Sequence, residues 1–508
     1  MNRIAILAAL AASALTVSAQ SALQYSATAI GQTATGGDFA PYFIGALNHG
    51  KTSRAHMAGL DLGVSVDLGR TGRWGWGAGA EVMFDGASSI QYARYDAATS
   101  TWGTSDNNAA PAYLQQLYAE VRYRSVFLRA GQKDYRSALL DEDLSSGDLV
   151  RGANARGIPG AEIGFIGFQD IPLTNGWVQI DGVIEYGRTV DDAYKRKQFN
   201  YYNYILTQDV NYTYKRCYFR TKPSMPLSVT VGMQVAGQFG GSTRQYRQGR
   251  LVLSEDRGFR FGDVLKMFLP TQGNGNEFYE GNTLGSWDLK ARYRLPDGSR
   301  LSFVFQGPWE DGSGIGRANG FDGLWGLYYT APGRRIVTGA AIEYLDFTNQ
   351  SGPMHWAPSD SPGTDITTEA TGRDNYYNNT TYGAYTNYGL CIGSPFMLEP
   401  FYNLNGMSGF IYNVARGFHA SVRGCLGADL DYSVRYSYQH ARRCYVWPGP
   451  GLWLDNSMMA RVDWHPARLA PGWNFGATLA FDAGNLRGNN FGAMLTVTYS
   501  GLLPFKKR

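Results

Sequence analysis

In the segment RWGWGAGAEVMFDG, residues 73–86, Trp74, Trp76, Ala78, Ala80, Val82 and Phe84 fall on one side of an extended chain. Arg73, Gly75, Gly77, Gly79, Glu81 and Asp85 fall on the other, with Met83 as the one apolar exception. Side chains of a strand alternate between its faces, so the pattern predicts a strand with two unlike sides. The alternation recurs in 58–68 (AGLDLGVSVDL), 178–187 (VQIDGVIEYG), 431–440 (DYSVRYSYQH) and 473–482 (WNFGATLAFD). Many of these stretches approach ten residues, long for a soluble sandwich and long enough to cross a bilayer at a tilt. Short connections at 68–73, 124–125, 295–299, 331–334 and 427–430 alternate with long ones at 85–112, 271–285, 308–321, 349–381 and 443–457. Tight turns at one end and long loops at the other mark a transmembrane barrel.

The expected architecture is therefore all-β: a transmembrane antiparallel β-barrel of about 18 strands with small helical or loop plug elements. The count runs from about eighteen to twenty depending on 126–132 and 398–404. Apolar faces should meet lipid and the charged, glycine-rich faces a polar lumen. Closure pairs every backbone group without water. Gly75, Gly77 and Gly79 leave room for something inside. If the chain ends in the periplasm, the short turns are periplasmic and 349–381, 443–457 and 484–490 lie outside.

The remaining composition narrows the function. Met1, Asn2 and Arg3 precede an apolar run, 4–16, and then Val17-Ser18-Ala19. That order predicts a signal peptide, 1–19, with 20–508 forming one barrel in the bacterial outer membrane. No later apolar run is long enough for a spanning helix. Mean hydropathy is −0.29, yet the chain carries 64 Gly, 34 Tyr, 12 Trp and 25 Phe, as a strand-rich protein would. A net charge of +4, with its cations scattered, argues against a nucleic-acid partner.

Cys217, Cys391, Cys425 and Cys444 form no CxxC pair, so neither a metal site nor a cofactor is expected. Cys425 and Cys444 should lie roughly 40 Å apart along a strand, too far for a disulfide. His49, His56, His355, His419, His440 and His465 are scattered, and Ser437 points away from His440, so no serine–histidine pair is expected and the protein reads as a non-enzyme. Asp141, Glu142 and Asp143 read as a solvated loop.

Several segments together resemble the Wzi-type capsule assembly proteins, especially their Bacteroidetes branch. They are 37–50 (GDFAPYFIGALNHG), 130–160 (AGQKDYRSALLDEDLSSGDLVRGANARGIPG), 255–268 (EDRGFRFGDVLKMF), 281–289 (GNTLGSWDL), 320–327 (GFDGLWGL), 349–356 (NQSGPMHW), 372–379 (GRDNYYNN) and 392–396 (IGSPF). Gly157 stands where that family usually has proline. The resemblance implies an eighteen-stranded barrel, obstructed inside, that binds capsular polysaccharide as a lectin and helps it attach or assemble at the cell surface. The implied partners are that polysaccharide, outer-membrane lipid or lipopolysaccharide, and the capsule export machinery. Two segments are plug candidates, 262–269 (GDVLKMFL) as a helical turn or two and 139–149 as a second.

Sugars are recognised by flat aromatic faces and by planar polar or cationic groups. The richest supply on the predicted outer face is 349–381. Its His355, Trp356, Arg373, Asp374, Tyr376 and Tyr377 are the expected glycan-binding residues. Segments 188–211, with Lys195, Arg196, Lys197, Tyr201, Tyr202 and Tyr204, and 443–455, with Trp447 and Trp453, are further candidates. Aromatics near strand ends also form the interfacial girdle of any such barrel. The alternative function is a porin or transport channel with Asp61, Asp67, Glu81, Glu120, Arg122 and Arg129 lining its pore.

Overall fold

A computed structural model describes residues 22–258, 281–310, 312–317, 319–350, 374–444 and 446–504. They form a closed antiparallel barrel of eighteen strands. The first strand, Ala22–Ala34, pairs along its whole length with the last, Asn490–Pro504, from Ala22↔Pro504 to Ala34↔Gly492. Its other side pairs with Met57–Val66, and each following strand pairs with its sequence neighbours. Closure leaves no unpaired edge, the condition for spanning lipid with strands.

The two faces divide as the alternation predicts. In Trp473–Gly484, Trp473, Phe475, Ala477, Leu479 and Phe481 are exposed, whereas Gly476, Thr478, Ala480 and Asp482 are buried. Leu60, Leu62 and Val64 likewise point outward from Met57–Val66. Such a continuous apolar belt is a lipid-facing surface. Met83 breaks the pattern because its inward side packs on Tyr42 and Ile44 from the segment that follows the first strand.

All five predicted short turns lie at the end that carries both termini, and the long connections lie at the other. Val126–Gln132 is a strand. Residues 398–404 are not; Pro400–Tyr402 is a buried 3₁₀ turn inside the barrel, so the lower strand count holds. Gly160–Phe165 and Gln169–Asp170 are two parts of one interrupted strand, both paired with Val178–Arg188. Cys425 sits opposite Asp431 beside a short turn, and Cys444 follows the far end of Leu430–Arg442, as the predicted separation requires.

Residues 133–159 fold into the lumen instead of rising above it. Near the tip, Leu139 O accepts from Lys290 Nζ at 2.6 Å, and Arg423 pairs with Asp141 (2.7 Å) and Asp143 (2.9 Å). Glu142 accepts the Ser137 and Ala153 backbone N–H groups at 2.9 and 2.8 Å. The three acidic residues are thus the tip of a plug: Asp143 stays exposed, as expected of a solvated loop, whereas Asp141 and Glu142 are half-buried, a correction to that expectation for these two. Higher up, Ser146 N donates to Glu343 Oε2 at 2.9 Å, Leu149 N donates to Gln306 Oε1 at 3.2 Å, and Gln234 Nε2 donates to Asp148 Oδ1 at 3.1 Å. The backbone of an irregular loop must find partners when buried, and here wall side chains supply them.

The predicted plug at 139–149 is therefore present as non-helical chain. The helical candidate 262–269 lies outside the described residues. Above this plug, segments 35–56 and 374–413 complete the filling; one apolar cluster joins Leu144, Leu149 and Ile158 to wall residues Tyr214 and Leu345 and to Tyr377, Tyr385 and Phe396.

Most charges proposed for a pore wall are paired off, some with this filling and some with one another or with a turn. Lys51 from the first inserted segment binds Asp61 at 2.8 Å and also Glu81. Arg129 bridges Glu120 (2.8 Å) and Glu162 (2.7 Å), and the plug residue Arg151 bridges Glu162 (3.1 Å) and Glu185. Arg122 clasps the turn at 68–73, donating to Gly69 O at 2.7 Å and Thr71 O at 3.1 Å. That turn folds inward over Gly75 and Gly77, where a Cβ would strike Gly69 O at 2.2 Å and Leu68 N at 2.9 Å. The glycine face thus makes room for the chain's own turn.

Candidate functional site

The loop end of the barrel is built from three elements set side by side. They are the hairpin Ile90–Asp96/Thr101–Asn107, the helix Asp192–Gln198 with the turn after it, and the three-stranded sheet of Tyr204–Gln208, Gly241–Arg247 and Arg250–Arg257. Backbone bonds fasten them: Tyr95 N to Asn200 O at 2.8 Å, and Gly249 N to Tyr202 O at 2.9 Å. Gly249 has φ +75°, and a Cβ there would meet Tyr95 at 2.2 Å, so the hairpin tip reaches the aromatic layer only as glycine.

Where the three meet, Tyr95, Trp102 and Tyr202 form a triangle of rings. Centroids are 5.4 Å apart for Tyr95–Trp102, 4.8 Å for Tyr95–Tyr202 and 4.9 Å for Trp102–Tyr202. Tyr201 continues it, with the Arg94 guanidinium 4.7 Å above its ring and Tyr246 at 5.5 Å. Trp102 is 51% exposed, so its indole offers a free face at the top of the molecule. Tyr201 holds φ 54°, a left-handed conformation that costs energy for a non-glycine residue and persists only where packing enforces it.

Beside this platform a cavity of about 250 Å³ opens between the hairpin base, the helix and the inserted segments. Arg54, Arg156 and Lys197 bring cations to it, Tyr113, Tyr194 and Tyr388 bring rings, and Asp85 a carboxylate. A bulge in strand Ala112–Tyr123, where Glu81 pairs with Gln116 and Val82 with Leu114, sets the register that points Tyr113 inward. His49 also lines the cavity. Burial, reinforced by the Lys51 and Arg136 cations, holds its imidazole down at about 3, so it is neutral here.

Of the residues expected from sequence, His355, Trp356 and Arg373 lie outside the described residues. Asp374, Tyr376 and Tyr377 are buried. Tyr376 O–H donates to Gln350 O at 3.0 Å and accepts from Asn319 Nδ2 at 2.8 Å. Tyr377 O–H donates to Leu149 O at 2.7 Å, and its ring stacks on Tyr385 at 6.1 Å. In this structure Tyr377 pins the inserted segment to the plug, and Tyr376 ties it to the neighbouring connections through Gln350 and Asn319. From the second candidate segment, Tyr201 and Tyr202 join the platform while Lys195 is tied to Asp191 at 2.8 Å. From the third, Trp447 packs edge-on against Tyr204 at 4.5 Å, and Trp453 packs on Tyr412 at 4.8 Å.

Sequence reasoning missed Trp102 and Arg94, which lie in the long connection 85–112. It also missed Arg54, which lies in none of the segments singled out, and Arg156, which lies in the resemblance segment 130–160 but outside the plug candidate 139–149. The structure does bring a serine and a histidine together, a correction to the expectation of no such pair: His419 lies on an inner face, with Nδ1 2.9 Å from Ser437 Oγ and Nε2 2.9 Å from Leu144 O. Both ring nitrogens are engaged, which makes the pair a strut for the plug.

No protein-family model matches this sequence, and no curated protein does. Among solved structures, the chain is similar to Wzi of Escherichia coli, described as an outer-membrane protein involved in group 1 capsule assembly and as a carbohydrate-binding β-barrel. That similarity has a TM-score of 0.56 at 14% identity, over 99% of this chain and 88% of that one. The fold is that of Wzi. Weaker similarity extends to OccK5 of Pseudomonas aeruginosa (TM-score 0.46, 11% identity, 95% of this chain and 98% of that one) and to OccAB2 of Acinetobacter baumannii (TM-score 0.48, 8% identity, 95% and 98%). At such identities the Wzi likeness is one of architecture: an outer-membrane barrel.

Proposed function

We propose that this protein sits in the bacterial outer membrane after loss of residues 1–19 and binds capsular or other surface polysaccharide there, as a lectin that helps it attach or assemble. The observation that carries the reading is the pairing of a filled lumen with an aromatic platform on the loop face, in which Trp102 is exposed and Tyr95, Tyr201 and Tyr202 are half-buried. A ring face buries the apolar C–H side of a pyranose favourably, and one with a neighbouring guanidinium also orients its hydroxyls. The Wzi structure, described as carbohydrate-binding, supports the same reading by analogy of fold. The filled lumen weighs against the channel alternative. Lipopolysaccharide and the capsule export machinery are the neighbours such a role requires. The protein acts by binding and performs no catalysis.

Residues 351–373 join the proposal through Trp356 and Arg373, an aromatic and a cation within the longest connection the sequence offers. The test uses the purified full-length barrel and surface polysaccharide extracted from the source cells. Trp102→Ala with Tyr202→Ala is expected to weaken binding about 10-fold, in keeping with ~0.5–1.5 kcal/mol per aromatic contact. Trp356→Ala with Arg373→Ala is expected to weaken it similarly. An unchanged affinity in the second pair removes 351–373 from the site. No binding by the unmodified protein, with capsule fully retained on a deletion strain, overturns the function.

A further inference from the structure

Resting on that reading, we infer that the cavity beside the platform is a subsite for a carboxylate-bearing sugar residue of the polysaccharide, with Arg156 as the group that holds the carboxylate. The guanidinium of Arg156 lies between two rings, 3.9 Å from the Tyr113 centroid and 4.5 Å from that of Tyr388. The two rings hold the guanidinium in place. Its Nε is buried and has no hydrogen-bond partner among the described residues. An unsatisfied buried donor on a cation is costly, and an oxyanion arriving along the edge with two coplanar oxygens satisfies it.

The surroundings agree with a single negative charge. Arg54 spends one nitrogen on Ser88 O (2.6 Å) and Asn107 O (2.8 Å), which fixes its head at the cavity wall, and Lys197 stands exposed at the rim. Neighbouring ion pairs, Lys51–Asp61 and Lys195–Asp191, close on themselves, and among the described residues no carboxylate pairs with Arg54, Arg156 or Lys197. Asp85 lines the same cavity, which makes a doubly charged phosphate the poorer guest. The half-buried rings of Tyr113 and Tyr388 supply apolar area for the body of the sugar. Tyr388 is held at φ 54° with its N–H bonded to Asp191 Oδ2 at 2.9 Å, so its ring is fixed before any ligand arrives.

The experiment compares extracted surface polysaccharide before and after chemical reduction of its carboxyl groups, titrated against the full-length protein in detergent. The intact polymer is expected to bind at least about 10-fold more tightly than the reduced one, a ~1.4 kcal/mol difference. Arg156→Gln should bring the ratio to about 1. Lys197→Ala, at an exposed position that folding does not need, should lower the ratio by roughly half. Free galacturonate should compete more strongly than inorganic phosphate. Equal binding of both polymers, a ratio that survives Arg156→Gln, or stronger competition by phosphate overturns the inference while the surface-glycan reading stands. If neither polymer binds, both fall.

Discussion

Arg151 does more than any other single side chain to seat the plug. Its side chain is 7% exposed, it bridges Glu162 and Glu185 on adjacent strands, and its guanidinium lies 3.7 Å from the Tyr214 ring and 4.6 Å from that of Tyr135. Tyr135 O–H in turn donates to Glu185 Oε1 at 2.8 Å. Removing one partner of a buried pair strands the others in a medium that cannot solvate them, at a cost of about 3–5 kcal/mol. Arg151→Met is therefore expected to lower markedly the temperature at which the folded barrel loses its compact electrophoretic mobility. Arg334→Met, which breaks the exposed Arg334–Asp431 pair, should leave that temperature unchanged. An Arg151→Met barrel as heat-resistant as the parent would mean that the apolar contacts of the plug suffice without its charge.

Gly131 and Gly160 are register partners at the two ends of the inserted segment, so the wall closes there whether or not 133–159 is present. Replacing 132–159 by a two-residue Asn-Gly turn between these partners therefore keeps the strand pairing, because such a turn suits a tight antiparallel connection. The parent protein should give no conductance in a planar bilayer, and the shortened one should give discrete open steps. A silent deletion variant would show that 35–56 and 374–413 close the lumen by themselves. The strands were legible in sequence because lipid on one side and a polar interior on the other impose a period of two, as at Trp473 to Phe481. The plug was not legible by the same means. Its chain has no period, and its burial depends on Glu343, Gln306 and Lys290, far away in sequence. What pointed to it was the family resemblance, whose segments 37–50, 130–160 (from residue 133 to 159), 372–379 (from residue 374) and 392–396 prove to fill the barrel. The platform was half legible: Tyr201 and Tyr202 stood out as a tyrosine cluster, but Trp102 gains its meaning only when a hairpin about a hundred residues earlier is laid against them.

For the molecule as a whole, a polar interior enclosed by lipid stores acidic groups away from water, and that makes stability depend on pH. Burial pushes the carboxyls of Asp134, Glu142 and Glu399 up to about 7, against the lowering effect of hydrogen bonds such as Cys391 N–H to Glu399 Oε1 at 2.6 Å. Unfolded carboxyls titrate near ~4. Between those values the folded protein keeps protons that the unfolded chain releases, so stability falls as pH rises through the window and is restored as pH drops below about 7. His49 works in the opposite sense. Its folded value of about 3 lies below the unfolded ~6.5, so acid favours the unfolded chain through this one group. Three carboxyls outweigh one imidazole. The barrel should resist heat better near pH ~5.5 than near pH ~8, and Glu142→Gln should flatten the difference by removing one of the three proton sites. The measurement is the temperature of mobility loss across that range. A barrel that grows steadily more heat-resistant toward pH ~8 would mean that the acids of the plug are ionised and solvated, and that water reaches the lumen the structure fills.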